Sequence, residues 1–258
     1  MTAIRRQTFA EWRTHATNRI LGGTMLLRWM SAAKWAIYPL LVRWMPKMAI
    51  AIHEPESTSV FWNAIAPGMT VVDAGANMGG FSVLAAHRVG TSGRVFAFEP
   101  EPRNFASLSR RMRRFPMVTP VQRAVSDTVG EAVLHLDSFH AGHSLVGVIA
   151  GPAVSETTVP VTSLDAFVRE QGLAGLDVVK LDVEGAELQA IAGMREQLAG
   201  PRPPVILCEI HGPNRPEDII AAVTPYGYRC EVLDAALTGE AHRVPVHVLA
   251  RPAAARRP

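Results

Sequence analysis

From residue 67 onward, short apolar runs alternate with segments whose apolar positions recur every three or four residues. The first pattern suits strands buried on both faces, and the second suits helices packed over them. Residues 70–73 (TVVD), entered through Pro67-Gly68, predict a first strand, and 80–89 predict a helix with Phe81, Leu84 and Ala85 on one face. Residues 94–99 (RVFAFE) form a second strand, 102–114 a basic-faced helix, 118–125 a third strand and 131–136 a further short one. A long loop over 137–158, rich in Gly, Ser and His, follows; loops of this length are often lids or binding loops. Residues 159–161 lead into a helix at 164–171. Residues 177–182 (DVVKLD) and 205–210 (VILCEI) read as buried strands. Between them lies a crossover helix over 185–198 with Leu188, Ile191, Met194 and Leu198 inward. A helix over 216–226 and strands over 228–233 and 244–250 complete the order, the last two as an edge hairpin. The alternation predicts a doubly wound α/β domain with a mostly parallel sheet and an antiparallel C-terminal edge.

The first fifty residues follow no such order. The stretch 20–48 is apolar, but Arg28, Lys34, Arg43 and Lys47 interrupt it, and its charge-free run 35–42 contains Pro39. A spanning helix needs about 20 apolar residues, so no transmembrane segment is expected there. Nor does the start have the continuous apolar core and cleavage site of a secretory signal. Two readings stand: a pair of short helices covering the main domain, or an interfacial element. In the second, Trp29, Trp35, Tyr38 and Trp44 sit among basic residues at an anionic leaflet. The basic residues do not fall on one helical stripe, which favours the cover. Three parts are therefore expected: an N-terminal helical extension over 1–54, the α/β domain over 55–250, and a disordered basic tail over 251–258.

Composition narrows the class. Apolar residues are 48% and charged residues 19% of the 258, which excludes wholesale disorder. Cys208 and Cys230 alone cannot make a cysteine-rich metal site, and they suit a reducing compartment. The net charge of +3 splits unevenly: residues 1–50 carry +7, residues 251–258 carry +3, and the body between carries −7. An acidic body argues against nucleic acid as a partner.

The segment 70–81, TVVDAGANMGGF, is the most informative. A buried strand ends in Asp73, and the loop Gly75-Ala76-Asn77-Met78-Gly79-Gly80 precedes a helix. Glycines let backbone approach a ligand closely, and the helix start offers free N–H groups. Asp73 can orient the loop or accept from an ammonium group. Glu99 ends the second strand 26 residues later, placed to accept from both ribose hydroxyls of a nucleoside. The loop lacks the G-x-G-x-x-G spacing of a dinucleotide site, and Asp73 would repel a diphosphate. These residues favour S-adenosylmethionine over a nicotinamide cofactor.

Six blocks in order, VVDAGANMGGFS, RVFAFEPEPRNFASL, RAVSD, VPVTSLD, VVKLDVEGAELQAIAGM and VILCEIHG, resemble the signature blocks of the FkbM family of methyltransferases. The likeness runs over roughly residues 60–235. It implies a Rossmann-like methyltransferase sheet and transfer of a methyl group from S-adenosylmethionine to a hydroxyl of a sugar, glycolipid or polyketide. Asp73, Gly75, Ala76, Asn77 and Gly79 match the loop that cradles the methionine part, Glu99 the ribose ligand, and Ser126 and Asp127 the position facing adenine.

Methyl transfer to an alcohol needs tight positioning and a group that takes or acidifies the hydroxyl proton. In doubly wound sheets the crevice lies beyond the carboxyl ends of the strands, where Asp182, Glu184, Glu209 and His211 fall. Two mechanisms fit. His211 is a general base oriented by Asp182 or Glu209, or Asp182 and Glu209, with or without His211, hold a divalent ion such as Mg2+. Glu184 caps the following helix in one reading and joins the site in the other. His140 and His143 belong to the covering loop, where Ser144 and Leu145 line the acceptor pocket. His87 and His247 are ordinary surface or core, Cys208 is a buried filler, and Arg110, Arg111, Arg113 and Arg114 form a solvated face.

The expected function is S-adenosylmethionine-dependent O-methylation of a small-molecule, sugar or glycolipid acceptor. The setting is the cytoplasm, with peripheral contact at the inner membrane face through residues 20–48 as the alternative for the extension. The rivals are a cofactor- or membrane-binding module without catalysis and, less favoured, a nicotinamide-dependent oxidoreductase.

Overall fold

The computed structural model describes residues 55–136, 144–145, 155–233 and 246–253. The N-terminal extension through residue 54, His140 and His143, and the tail from 254 lie outside the described residues.

Among the described residues, seven strands form the main sheet, in the order β3-β2-β1-β7-β8-β10-β9. These are β1 (Thr70–Ala74), β2 (Arg94–Phe98), β3 (Val118–Val121), β7 (Val178–Leu181), β8 (Val205–Ile210), β9 (Tyr228–Leu233) and β10 (Val246–Pro252). The first five run parallel, while β10 pairs antiparallel with both β8 and β9. The doubly wound sheet with its antiparallel edge is thus as the alternation predicts. Strand order reverses at the β1–β7 pair, the switch point at which such sheets open a crevice.

Helices cover both faces. One core packs α1 (Pro55–Ala64), α2 (Gly80–Val89) and α3 (Pro102–Met112) against Val71, Val95, Val178, Leu207 and Leu249. The other packs α4 (Leu164–Glu170), α5 (Glu187–Ala192), α6 (Arg195–Ala199) and α7 (Pro216–Val223) against Val72, Phe96, Val179, Ile206 and Val248. The two-residue period of each strand has a further consequence. Asp73, Lys180, Glu209 and His247 share parity with the first set, so that face of the sheet ends in a polar row where its apolar row stops. Asp73 pairs in register with Lys180, and Glu209 with His247.

Four elements depart from the sequence reading. The last strand runs on through Arg251 and Pro252, expected in the disordered tail, because both pair with β9. The expected strand 118–125 is two strands, since β4 (Ala124–Val125) leaves the main sheet for a second one, ordered β4-β6-β5. There Ala124 joins Leu134, Val159 and Val161 in a small core of their own. The expected loop 137–158 ends sooner, because Ser155–Val161 of β6 (Ser155–Thr162) pairs antiparallel with β5 (Gly130–Leu136). The polar stretch Ser155–Thr158 hid this, as an edge-facing half of a strand carries no apolar period. The crossover helix 185–198 is split at Gly193-Met194. The buried Asp165 carboxylate accepts from the N–H groups of Glu196 (3.0 Å) and Gln197 (3.1 Å), which starts α6 as a separately capped helix. A Cβ at Gly193 would stand 2.0 Å from the Ser126 carbonyl oxygen, so the break occurs where the chain crosses β4 closely.

Candidate active site

The loops after β1 and β7 meet at the switch point. Gly75 takes φ +78°, and a Cβ there would lie 1.7 Å from the Asp182 carbonyl oxygen. Only glycine lets the two loops close on each other. Gly75 and Ala76 donate their N–H groups to the Phe98 carbonyl (3.0 and 2.8 Å), tying the loop to the end of β2. Asn77 continues in the left-handed region at φ +48°, and its N–H donates to Glu99 Oε2 at 2.8 Å. Gly79, at φ +80°, leads into α2, where a Cβ would meet Leu108 and Met112 at 2.7 Å. Arg111, expected on a solvated face, donates Nη1 to the Met78 carbonyl at 2.8 Å and clamps this loop from α3.

Beside the loop opens a cleft with about 610 Å3 of empty space, part of it open to solvent. Gly75, Asn77 and Glu99 line one part, Asp182, Val183 and Glu184 another, and Phe98, Val125, Leu134 and Leu145 supply apolar wall. Glu99 Oε1 accepts from the Glu101 N–H at 3.0 Å and Oε2 from that of Asn77, so each oxygen keeps a lone pair for a further donor. Burial lifts Glu99 to about 7, against the pull of the Glu101 and Asn77 N–H groups.

Asp73 is 1% exposed and stands behind the loop. Its Oδ2 accepts from Ser82 Oγ at 2.6 Å, which orients the start of α2, and its Oδ1 is buried with no hydrogen-bond partner. Burial raises its carboxyl, and Lys180 opposes the rise. At the third strand end the wall is made by Arg123, Ala124 and Val125. Ser126 and Asp127 stand beyond it: Ser126 Oγ donates to Asp127 Oδ1 at 3.2 Å, and Asp127 is exposed. Arg123 in turn forms a two-pronged ion pair with Glu170 at 2.5 and 3.0 Å.

The ends of β7 and β8 bring together the acids and histidine singled out in the sequence. His211 Nε2 lies 3.3 Å from Glu209 Oε1 and 3.8 Å from both Asp182 Oδ1 and Glu184 Oε2. Asp182, Glu184 and His211 each offer a ligand atom within 4.8 Å of the others. Glu209 faces inward, with Oε2 3.4 Å from His247 Nε2, and that histidine is fully buried. Lys180, 1% exposed, donates to Asp182 Oδ2 at 2.8 Å and lies 4.4 Å above the Phe81 ring. Burial disfavours its charge, but Asp182, Asp73 and Glu209 outweigh that and hold it above the usual lysine range.

Charges are steeply tuned here. Burial opposes a proton on His211, but Glu187, Glu209, Asp182 and Glu184 together push it up to about 11. Burial also raises Glu209, yet hydrogen bonds from His211 and His247 hold it well below the usual carboxylate range. Burial lifts Glu184 to about 7, with His211 opposing and neighbouring carboxylates adding to the rise. Asp182 is raised by burial and lowered by Lys180. Glu184 is not a simple helix cap. It takes φ +50° ahead of Gly185 at φ +98°, and Ser144 Oγ donates to its carbonyl at 2.5 Å.

Sequence reasoning missed Glu187, which has no exposed surface. It accepts from the Gly185 N–H at 2.9 Å and lies 3.3 Å from His211 Nδ1. Asn214 Nδ2 donates to its other oxygen and, at 2.9 Å, to the Gly185 carbonyl. The signal was present: Glu187 shares a helical face with Ala190, Ile191 and Met194, an acid in a core position. His87 is exposed against Phe115, and Cys208 is buried, both as expected.

Residues 73–230 match the family model of the methyltransferase FkbM domain. A hexuronic acid methyltransferase, AglP of Haloferax volcanii, is 28% identical over 66% of this chain and 63% of its own. The 31-O-demethyl-FK506 methyltransferase FkbM of Streptomyces tacrolimicus is 30% identical over 56% of this chain and 66% of its own. This chain thus spans a little under two thirds of the length of these curated relatives. Among solved structures, a candidate rRNA methylase of Clostridium thermocellum superposes with a TM-score of 0.50 at 14% identity. It covers 76% of this chain and 93% of its own, which speaks for the fold alone. With more than half of its length matched from Asp73 through Cys230, the chain belongs to the FkbM family of methyltransferases.

Proposed function

We propose that this chain moves the methyl group of S-adenosylmethionine to a hydroxyl oxygen of a sugar or glycolipid-like small molecule. The observation that carries this reading is one cleft lined by both the Glu99–Asn77 cradle and the Asp182–Glu184 pair. The relatives named for a hexuronic acid and for a demethylated polyketide position support an oxygen acceptor. The residues fit the cofactor. Glu99 has one lone pair per oxygen for a cis-diol, the left-handed Gly75–Asn77 backbone leaves the approach clear, and buried Asp73 Oδ1 has no partner of its own. Phe98, Val125, Leu134 and Leu145 give an aromatic base apolar wall.

The reaction forms one O–C bond and breaks one S–C bond; the electron pair goes to sulfur, leaving a thioether. The hydroxyl must shed a proton as it attacks. His211, at about 11, already carries one near neutral pH, so it acts as charge partner. The proton passes to a cleft-lining carboxylate, with Glu184, at about 7, matched to that task. Holding hydroxyl, sulfonium and carboxylate in line supplies most of the acceleration.

A second reading has its own observation. Asp182, Glu184 and His211 each turn a ligand atom to within 4.8 Å of the others, a donor set of oxygens and one imidazole nitrogen that suits a divalent cation. These three would hold the ion, since Glu209 is committed to His211 and His247. A bound Mg2+ acidifies an alcohol ligand.

The test is transfer of tritiated methyl to a panel of hexoses, hexuronic acids and glycolipids, in EDTA and in Mg2+, with the O-methyl position read by NMR. Turnover in EDTA that falls at least about 100-fold in Glu184→Gln supports the carboxylate reading. Turnover only with Mg2+ supports the second. Labelling of nitrogen or carbon, or none of any acceptor by a protein that binds the cofactor, overturns O-methylation.

A further inference from the structure

We propose that Glu187, seconded by Asn214, is the positioning residue that fixes His211 with Nδ1 as donor and Nε2 turned to Asp182 and Glu184. The inference rests on the functional reading above, and it holds whether Nε2 faces a proton or a cation. Neither Glu187 nor Asn214 is a lining residue of the cleft, so both act through His211 and the Glu184 turn.

Glu187 is the first residue of α5, and its carboxylate folds back over the loop it follows. A carboxylate with no exposed surface is strongly disfavoured unless donors face it from every side. Two neighbours are donors by chemistry: the Gly185 N–H and Asn214 Nδ2. The third, His211 Nδ1 at 3.3 Å, completes the set only if it carries hydrogen. Nδ1 is therefore the donor to Glu187, whether or not Nε2 also carries hydrogen. Nε2 is then the nitrogen among Glu209, Asp182 and Glu184, of which Asp182 and Glu184 line the cleft.

The same carboxylate joins two loops. Through Gly185 it holds the left-handed turn that aims Glu184, and through His211 and Asn214 it holds the segment after β8. Asn214 closes the ring by donating to the Gly185 carbonyl. The two halves of the proton-handling cluster are therefore set by one buried group, in the way that metal- or substrate-facing imidazoles are oriented through their far nitrogen.

The test uses the full chain with uniform 15N label and long-range 1H–15N spectra of the histidine rings, beside SAH titration and methyl-transfer kinetics. The wild type should show His211 with Nδ1 protonated. In Glu187→Gln the amide offers one acceptor for three donors, so the Nδ1 resonance should move to that of an acceptor nitrogen. kcat should drop about 10–100-fold while SAH affinity stays within threefold. Should Glu187→Gln fail to fold, Asn214→Ala removes one of the donors that hold Glu187 against His211; it should shift the same resonance and lower kcat about tenfold. An unchanged His211 signal with turnover within threefold, in whichever variant folds, overturns the proposal. A wild type that makes no methylated product overturns the functional reading instead, and the spectra still decide whether Nδ1 carries hydrogen.

Discussion

The Glu99 carboxyl sits at about 7 because burial penalises its charge more than the Glu101 and Asn77 N–H groups favour it. The proposed ribose diol donates to the ionised form, so cofactor binding should pull this value down and release a proton. Affinity then follows the ionised fraction of the free protein. Between pH 8 and pH 6 that fraction falls about tenfold, a loss of about 1.4 kcal/mol in binding. Folding stability depends on pH in the opposite sense. A buried acid raised from 4.5 to about 7 lowers the stability of the free protein as pH rises through that window, by at most about 3 kcal/mol. Ligand-induced thermal stabilisation should therefore be larger at pH 8 than at pH 6. Glu99→Gln keeps the shape but sets an amide N–H2 against one of two backbone donors now 2.8 and 3.0 Å away. It also removes a charge-assisted bond to the ribose, about 1.5–3 kcal/mol or roughly 10–150-fold in affinity. The assay is calorimetric titration with SAH from pH 5.5 to 8.5, in buffers of differing ionisation enthalpy to count protons. Flat affinity in the wild type, together with Glu99→Gln binding within threefold, would refute the reasoning.

Gly75→Ala forces a Cβ to within 1.7 Å of the Asp182 carbonyl at a positive φ; urea unfolding should show a loss above about 2 kcal/mol, with SAH binding abolished. Lys180→Met leaves Asp73 and Asp182 without their buried cation. A loss of about 3–5 kcal/mol is expected, and a change below 1 kcal/mol would show that the cation is not needed there. Arg123→Ala breaks a pair that is largely in solvent despite its two prongs, so stability should move by less than about 1 kcal/mol.

Much of the site was legible because parallel strands buried on both faces announce themselves as unbroken apolar runs. A polar residue at the end of such a run is then conspicuous, as with Asp73, Glu99, Asp182 and Glu209. What stayed hidden depends on partners distant in the chain. The split of the 118–125 strand follows from Ala124 finding Val161 in another sheet, and the break in the crossover helix follows from Asp165, thirty residues earlier, capping α6. The role of Glu187 depends on a contact with His211, 24 residues further along the chain. Arg111 was one of a run of arginines, and only the fold shows which of them reaches the Met78 carbonyl. Val125 is the last residue of that strand end to line the cleft, with Ser126 and Asp127 directly after it in the chain.

A crystal structure of the full chain with SAH tests the central claim most directly. The account predicts the ribose hydroxyls on Glu99, the base against Val125 and Leu134, and the sulfur turned toward Asp182 and Glu184. SAH bound elsewhere, or in the same cleft with its sulfur turned away from that pair, would contradict it.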